Sequence, residues 1–324
     1  AIGEQKNLCA IRVTPTGQLD TTFGFQGGVG AQILYTNEAG DVAIQPDGKI
    51  VVGGRCKLAP PLSPYLFCAV RLLVNGQADP SFGASGFGQV SYVVGNTSDS
   101  VNATLVIQRD GKIVLGGRCR ASASSASSFC LLRLHTDGTV DNAYGATGLL
   151  IAIDTNVAAA IARMAMQPDG KIVLGGTCYV TTGPFSYDFC LARIHDDGTL
   201  DKSFSGDGKV ITPIGSSNDS VAALALQPDG KVIAVGNCDT GPETDDYCIA
   251  RFQGGPATGQ QCSLDIDGDG KVLATVDGLI STRIGLGLTG PAVIGGVTFP
   301  PNAARSTWPD IRNFLVVHCG LRLP

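Results

Sequence analysis

Charge is scarce in this chain: Asp, Glu, Lys and Arg make up 16% of its 324 residues, and a net charge of −5 leaves no basic field. A phosphate backbone or an anionic membrane surface is held by clustered Lys and Arg, so nucleic acid is not an expected partner. Histidine occurs three times and Trp once, and aromatic residues reach only 6%. No apolar run approaches the roughly 18–20 residues that cross a bilayer, so no membrane span is expected. Ala1-Ile2-Gly3-Glu4 lacks the basic and apolar regions of a signal peptide, and the chain reads as mature or trimmed. Cys-x-x-Cys is absent too, which removes the usual sign of a zinc or redox motif.

What the chain has instead is 44 Gly, 11 Cys and a period. The composition suits a β-rich globule with many tight turns. Eleven cysteines point to an oxidising compartment. Gln-x-Asp-Gly-Lys followed by an apolar run occurs at Gln45 to Lys49, Gln108 to Lys112, Gln167 to Lys171 and Gln227 to Lys231, at spacings of 63, 59 and 60 residues. A chain with such a period builds its core by stacking one supersecondary unit on the next, so function is sought in what differs between units.

Asp-Gly between apolar segments predicts a tight hairpin whose two central residues take positive φ, pairing Ala43 to Gln45 with Lys49 to Gly53 and likewise in the other copies. A second strand phrase follows in each unit, for example Phe67-Cys68-Ala69-Val70-Arg71-Leu72, and a fifth copy, Leu8-Cys9-Ala10-Ile11-Arg12-Val13, opens the chain. Each Arg strand but the last leads to an Asp-x-x-Phe or Asp-x-x-Tyr turn, with the Asp eight residues beyond the Arg: Asp20, Asp79, Asp141 and Asp201. Such a pair is either a binding site repeated around the molecule or an ion pair tying a strand to the next turn. The ion pair is preferred, because a functional pair seldom recurs in every unit of a scaffold. About four short strands per unit make each unit a propeller blade, and the chain an all-β protein with four full repeats and an N-terminal half-blade.

The cysteines follow the same period. Cys56 and Cys68, Cys119 and Cys130, Cys178 and Cys190, and Cys238 and Cys248 each bracket the loop between the two strand phrases, and four disulfides within blades are predicted, each worth roughly 2–4 kcal/mol. Cys9 is the odd cysteine, standing at the second position of a unit whose first half is missing. Its half-blade needs a complement in the last blade, in an upstream segment or in a neighbouring molecule, and the last choice gives an open head-to-tail filament.

The phrases Gln45-Pro46-Asp47-Gly48-Lys49-Ile50-Val51-Val52-Gly53-Gly54 and Arg193-Ile194-His195-Asp196-Asp197-Gly198-Thr199-Leu200-Asp201-Lys202-Ser203-Phe204 resemble the delta-60 repeat, over residues 8 to about 252. The resemblance implies a propeller-like fold and a bacterial surface or secreted location, and no established activity.

At Gly254-Gly255-Pro256-Ala257-Thr258-Gly259 the period is lost. The chain is thus divided into repeats (1–253), a linker (254–261) and a small helical module (262–324). Asp265, Asp267 and Asp269 fall at loop positions 1, 3 and 5 with Gly270 at 6, the spacing that wraps oxygen ligands around Ca²⁺; Lys271 would give its carbonyl, and Asp277 stands one place beyond the usual closing carboxylate. Short helices are expected from Asp277 to about Leu288 and from Thr307 to Val317. The segment resembles a dockerin-like calcium loop and helix unit, with one loop where dockerins have two. Cys262 and Cys319 flank it and could clamp its ends.

His135 and His195 occupy the same place in successive units, just before a turn, and His318 lies near the chain end. No nucleophile and base stand out in any one unit, so a non-catalytic protein is expected. The stapled loops differ in character, being Pro-rich after Lys57, Ser-rich after Arg120, aromatic after Tyr179 and acidic after Asp239. The expectation is therefore a secreted or cell-surface structural or adhesive protein that associates with itself or with another surface protein. A propeller that binds or cleaves carbohydrate is the alternative, with a glycan as partner.

Overall fold

The computed structural model describes residues 8–31, 36–57, 65–94, 104–120, 127–145, 149–153, 159–180, 186–215, 217–227, 230–241, 244–253, 266–267, 271 and 273–317. Seventeen strands form five antiparallel sheets among these residues. The first full unit contains β3 (Thr36–Ile44), β4 (Ile50–Lys57), β5 (Tyr65–Leu72) and β6 (Gln89–Tyr92), hydrogen-bonded in that order. The second repeats this with β7 (Thr104–Ile107), β8 (Ile113–Arg120), β9 (Ser127–Leu134) and β10 (Leu149–Ile153), and the third with β11 (Ala159–Met166), β12 (Ile172–Val180), β13 (Ser186–Ile194) and β14 (Lys209–Thr212). The fourth sheet has three strands, β15 (Asp219–Leu226), β16 (Val232–Gly241) and β17 (Thr244–Phe252). The N-terminal β1 (Leu8–Ile11) and β2 (Gly28–Ala31) pair by themselves and correspond to the third and fourth strands of a blade.

The hairpin at each Gln-x-Asp-Gly-Lys forms with Ile44 opposite Ile50, Ile107 opposite Ile113, Met166 opposite Ile172 and Leu226 opposite Val232. Its turn is not the expected one. Among the described residues of these turns only the glycine has positive φ, at Gly48, Gly111, Gly170 and Gly230. The reason is loop length: Gln45 and Lys49 pair across three residues, and a three-residue loop is made by a type I turn followed by a left-handed glycine, a turn that Arg109 adopts in the second unit as Pro46 does in the first. Gly48 N–H donates to the Gln45 carbonyl at 2.9 Å, and Asp47 accepts the Lys49 N–H at 3.1 Å.

All four cysteine pairs of the repeats are bonded, each joining the second and third strands of its blade. The pairs are diagonal rather than opposite: Cys68 faces Gly54 while Cys56 faces Leu66 two residues along. Glycine stands at the facing position, where an added Cβ would run into a first-strand carbonyl, that of Glu38 at Gly54, of Ala160 at Gly176 and of Ser220 at Gly236.

The sheets stack face to face, and the first strands β3, β7, β11 and β15 lie side by side in succession. Val51, Phe67 and Ala69 of the first blade are buried against Leu105, Leu115, Leu132 and Leu134 of the second. Val114, Phe129 and Leu131 repeat this contact with Met164, Leu174 and Ala192, and Val173, Phe189 and Leu191 repeat it with Leu224, Ala234 and Ala250. The half-blade joins the series through Phe23, Ala10 and Val29, which cover Val52, Val70 and Leu72. Strands buried on both faces explain why these phrases read as continuous apolar runs.

Beyond the repeats, a single π-helical turn (Ala274–Gly278) leads into α1 (Leu279–Gly285), followed by the short α2 (Pro291–Ile294) and α3 (Trp308–Val317). Helices therefore occupy both expected places, and α2 was not anticipated because four residues carry too little periodicity to read. Thr307 caps α3: its hydroxyl accepts the Asp310 N–H and donates to the Asp310 carboxylate. Ile266, Val276, Ile280, Val293, Ile311 and Leu315 form the small core of this segment.

Candidate functional site

The repeated Arg and Asp do meet, at 2.8 Å for Arg12 and Asp20, 2.8 Å for Arg71 and Asp79, 2.9 Å for Arg133 and Asp141, and 2.8 Å for Arg193 and Asp201. The antiparallel bridge between Leu72 and Ala78, and its counterparts in the other units, folds the turn back beside its own strand and brings the two groups together. In the first blade the Arg71 guanidinium also donates to the Ser81 hydroxyl at 3.0 Å, lies 4.6 Å from the centre of the Phe82 ring, and donates to the Thr136 carbonyl in the next blade. Arg12 reaches the Val74 carbonyl at 2.6 Å and Arg133 the Asp196 carbonyl at 2.7 Å in the same way. Each of the four Arg ties its own turn, and Arg12, Arg71 and Arg133 also sew their units to the following one.

The lysine of Gln-x-Asp-Gly-Lys completes the group. Lys49 lies 3.1 Å from Asp79, Lys112 3.1 Å from Asp141 and Lys171 3.0 Å from Asp201. Burial by itself would raise the Asp79 carboxyl, but the Ser81 hydroxyl and backbone N–H, the Lys49 ammonium and the Arg71 charge outweigh it and hold the group far below the usual carboxylate range. Asp201 is lowered by the same balance, through Ser203, Lys171 and Arg193. Asp141 is lowered as well against the effect of burial, with Ala143 in place of the serine, so that only a backbone N–H is left there. A carboxylate kept ionised and surrounded by donors is a poor proton acceptor and a good structural anchor. His135 and His195 each stand 3.8 Å from the Asp of the same unit, as turn-side neighbours of the cluster.

Clefts open between successive units. One of about 580 Å³ is lined by Gln45, Lys49, Arg71, Arg109 and Asp137, and one of about 370 Å³ by Gln108, Lys112, Arg133, Asp169 and Asp196. A third, of about 710 Å³, separates the half-blade from the first blade and carries two exposed rings, Phe25 and Phe87, with Gln77 and Gln89 beside them.

Of the expected calcium ligands, Asp265 and Asp269 lie outside the described residues, as do Cys262 and Cys319. Asp267 and Asp277 are both buried. Asp277 Oδ1 accepts the N–H groups of Ile266 at 2.6 Å and Asp267 at 3.2 Å, and Oδ2 accepts that of Leu273 at 2.7 Å. It therefore binds the two ends of the loop together, a role that position counting did not reveal. Among the described residues no three His, Cys, Asp or Glu side chains converge as a metal cluster. Part of each variable stapled loop, residues 58–64, 121–126, 181–185 and 242–243, also lies outside the described residues.

The two ends of the series are the least covered parts of the repeats. Ile11, Val13, Val42 and Ile44 are exposed at the N-terminal end, and Tyr247 and Ile249 at the C-terminal end. Cys9 is exposed on β1.

Residues 45–82, 108–144 and 167–204 match a family model described as a domain of unknown function (DUF5122) beta-propeller. The match falls on the three full four-stranded units, and their stacked antiparallel sheets agree with the β-propeller that the family model describes. No curated protein matches the sequence. Among solved structures, a protein of unknown function from Dyadobacter fermentans is 14% identical with a TM-score of 0.39, over 68% of this chain and 67% of that one. A polysaccharide lyase, an ulvan lyase, is 10% identical with a TM-score of 0.42, over 72% of this chain and 57% of that one. An endo-arabinase from Bacteroides thetaiotaomicron is 11% identical with a TM-score of 0.37, over 68% and 76%. The chain spans only part of each of these, and likeness at this level bears on none of the assignments below. No helix among the described residues is long and apolar enough to cross a membrane.

Proposed function

We propose that this chain is a non-catalytic structural or adhesive protein, secreted or held at a bacterial cell surface, whose propeller scaffold acts by associating with further copies of itself or with another surface protein. The observation that carries the reading is the use made of its charged groups. The Arg, Asp and Lys of the first three full repeats are engaged with one another, and Arg71 and Arg133 also with the neighbouring blade, while apolar side chains stand exposed at both ends of the stack. Four disulfides suit an oxidising, extracellular setting. The C-terminal module would hold Ca²⁺ through Asp265, Asp267, Asp269, the Lys271 carbonyl and Asp277, the ion serving to neutralise the loop carboxylates and stiffen the module.

Light scattering and negative-stain electron microscopy of the purified protein test the association. Mass that grows with concentration supports it, and a constant monomeric mass with turnover of a polysaccharide panel would overturn it. Calorimetry with Ca²⁺ on Asp265→Ala and Asp267→Ala tests the loop, since unchanged binding in both would remove it as the site.

A second reading, a glycan-binding propeller, is favoured by the cleft between the half-blade and the first blade. Exposed rings flanked by amides, as Phe25 and Phe87 are by Gln77 and Gln89, can stack on a sugar face and bond its hydroxyls. A glycan array comparing the protein with Phe25→Ala and Phe87→Ala decides this, because binding that ignores both changes lies elsewhere.

A further inference from the structure

Every interface between blades uses the same two faces. The forward face of one blade carries the apolar residues of its second and third strands, such as Val51, Phe67 and Ala69, and the backward face of the next receives them. At each of the three interfaces between full units, a large side chain on the first strand of the following blade also drops onto a glycine. A Cβ at Gly53 would lie 2.8 Å from Leu105, one at Gly116 2.7 Å from Met164, and one at Gly175 2.7 Å from Leu224. Leu105, Met164 and Leu224 are the knobs, and the glycines are their sockets.

Counted from its Gln-x-Asp-Gly-Lys, the fourth blade has Val235 at the socket position. It keeps Gly236, which serves the path of its own first strand, where an added Cβ would run into the Ser220 carbonyl. It also keeps an apolar forward face: Ile233, Tyr247 and Ile249 stand where Val51, Phe67 and Ala69 are fully buried in the first blade. Yet Tyr247 is 95% exposed and Ile249 72%. A forward face of core quality with its socket filled suits a partner that has a backward face and no first strand.

The N-terminal half-blade is such a partner. Among the described residues it consists of third and fourth strands, and no knob is present among them. Its backward face presents Ile11, 71% exposed, and Val13, at the positions where Val70 and Leu72 are buried in the first blade. Both faces are open among the described residues of the same structure.

We propose that the forward face of the fourth blade, centred on Val235 and Ile249, docks on the backward face of the N-terminal half-blade of a second copy, through Ile11 and Val13. The contact continues the blade-to-blade packing across two molecules. It is heterologous, so it propagates head to tail until a ring closes or a filament grows. Val235 also gives the junction a preference: a complete blade would drive its knob into the Val235 side chain, whereas the half-blade leaves that space for it.

This inference rests on the association proposed above, and sedimentation of two single variants and their mixture tests it separately. Ile249→Asp and Ile11→Asp change exposed residues, and unaltered thermal midpoints will show that the fold is kept. Each variant alone is expected to weaken association at least tenfold. An equimolar mixture is expected to give a dimer that grows no further, because each variant retains one intact face and the two intact faces are complementary. Variants that assemble like the parent would overturn this interface and leave the association reading standing. A parent that stays monomeric at every concentration would overturn both. A monomeric parent whose thermal midpoint falls with Ile249→Asp would mean that the face is covered within the chain, which equally overturns the proposal.

Discussion

Arg12 and Arg193 make matching bonds to an Asp eight residues on, to a hydroxyl and to an aromatic ring, yet the first side chain is 33% exposed and the second 2%. The local sequence is the same, and the difference lies in the neighbours. Arg193 sits in a complete blade covered on both faces, with Lys171 supplied by the second strand to its partner Asp201. Arg12 sits in a half-blade that shows no second strand among the described residues, and its backward face is open at Ile11 and Val13. An ion pair in water contributes little, whereas breaking one inside the protein leaves a stranded charge. The motif therefore has a different energetic role at the ends of the stack than in its interior.

The largest test of this contrast removes one carboxylate at a time. Asp201→Ala is expected to cost about 3–5 kcal/mol, because it strands the buried Arg193 guanidinium. Asp20→Ala is expected to leave urea unfolding close to that of the parent. Equal losses would break the comparison. Disulfides offer a control of similar size, since loop closure depends on loop length and not on neighbours. Replacing Cys178 and Cys190, 12 residues apart, or Cys238 and Cys248, 10 apart, by Ser is expected to cost about 2–4 kcal/mol in either blade. A large difference in thermal midpoint between the two would show that position matters for the staple as well.

The socket comes next in size. Gly116→Val pushes a side chain into Met164 and is expected to cost about 1–3 kcal/mol. Val235→Gly, at the uncovered counterpart, is expected to cost about 1 kcal/mol or less, the strand penalty of glycine alone. Matched melting curves of dilute protein check both. The mildest test is pH. The folded Asp79 and Asp201 carboxyls lie below the unfolded value of about 3.9, so their stabilisation is complete above about pH 4 and is lost as pH falls from there through the folded values. Thermal midpoints measured from pH 6 to pH 2 are expected to drop below pH 4, and Asp201→Asn is expected to flatten that slope.

Much of this architecture was legible because it is local. The hairpins, the four staples and the Arg and Asp pairs are set by separations of about 12 residues or fewer, and they recur in every unit that contains both partners. The turn type was misread because the strands pair at Gln45 and Lys49, leaving three residues in the loop rather than the two that an Asp-Gly hairpin needs, and the copy with Arg109 behaves in the same way. The third member of the charge cluster, Lys49 beside Asp79, was missed because 30 residues separate the two and only the sheet brings them together. Arg71 bonding to Thr136 was missed for the same reason. The substitution at Val235 stood in plain view in the period. Its meaning needed Leu105, Met164 and Leu224 in place above the other three glycines.

The sequence by itself determined the repeating unit, its strands and its disulfides, because hydrogen bonding along the chain and the alternation of side chains act over a few residues. Only the tertiary structure decided which face of each strand meets which neighbour, and therefore which apolar residues are core and which are left exposed. Ala69 and Ile249 occupy the same place in the motif, and the first is buried while the second is open to water. What separates them is whether another sheet packs against that face, which depends on the complete stack and not on any segment within it.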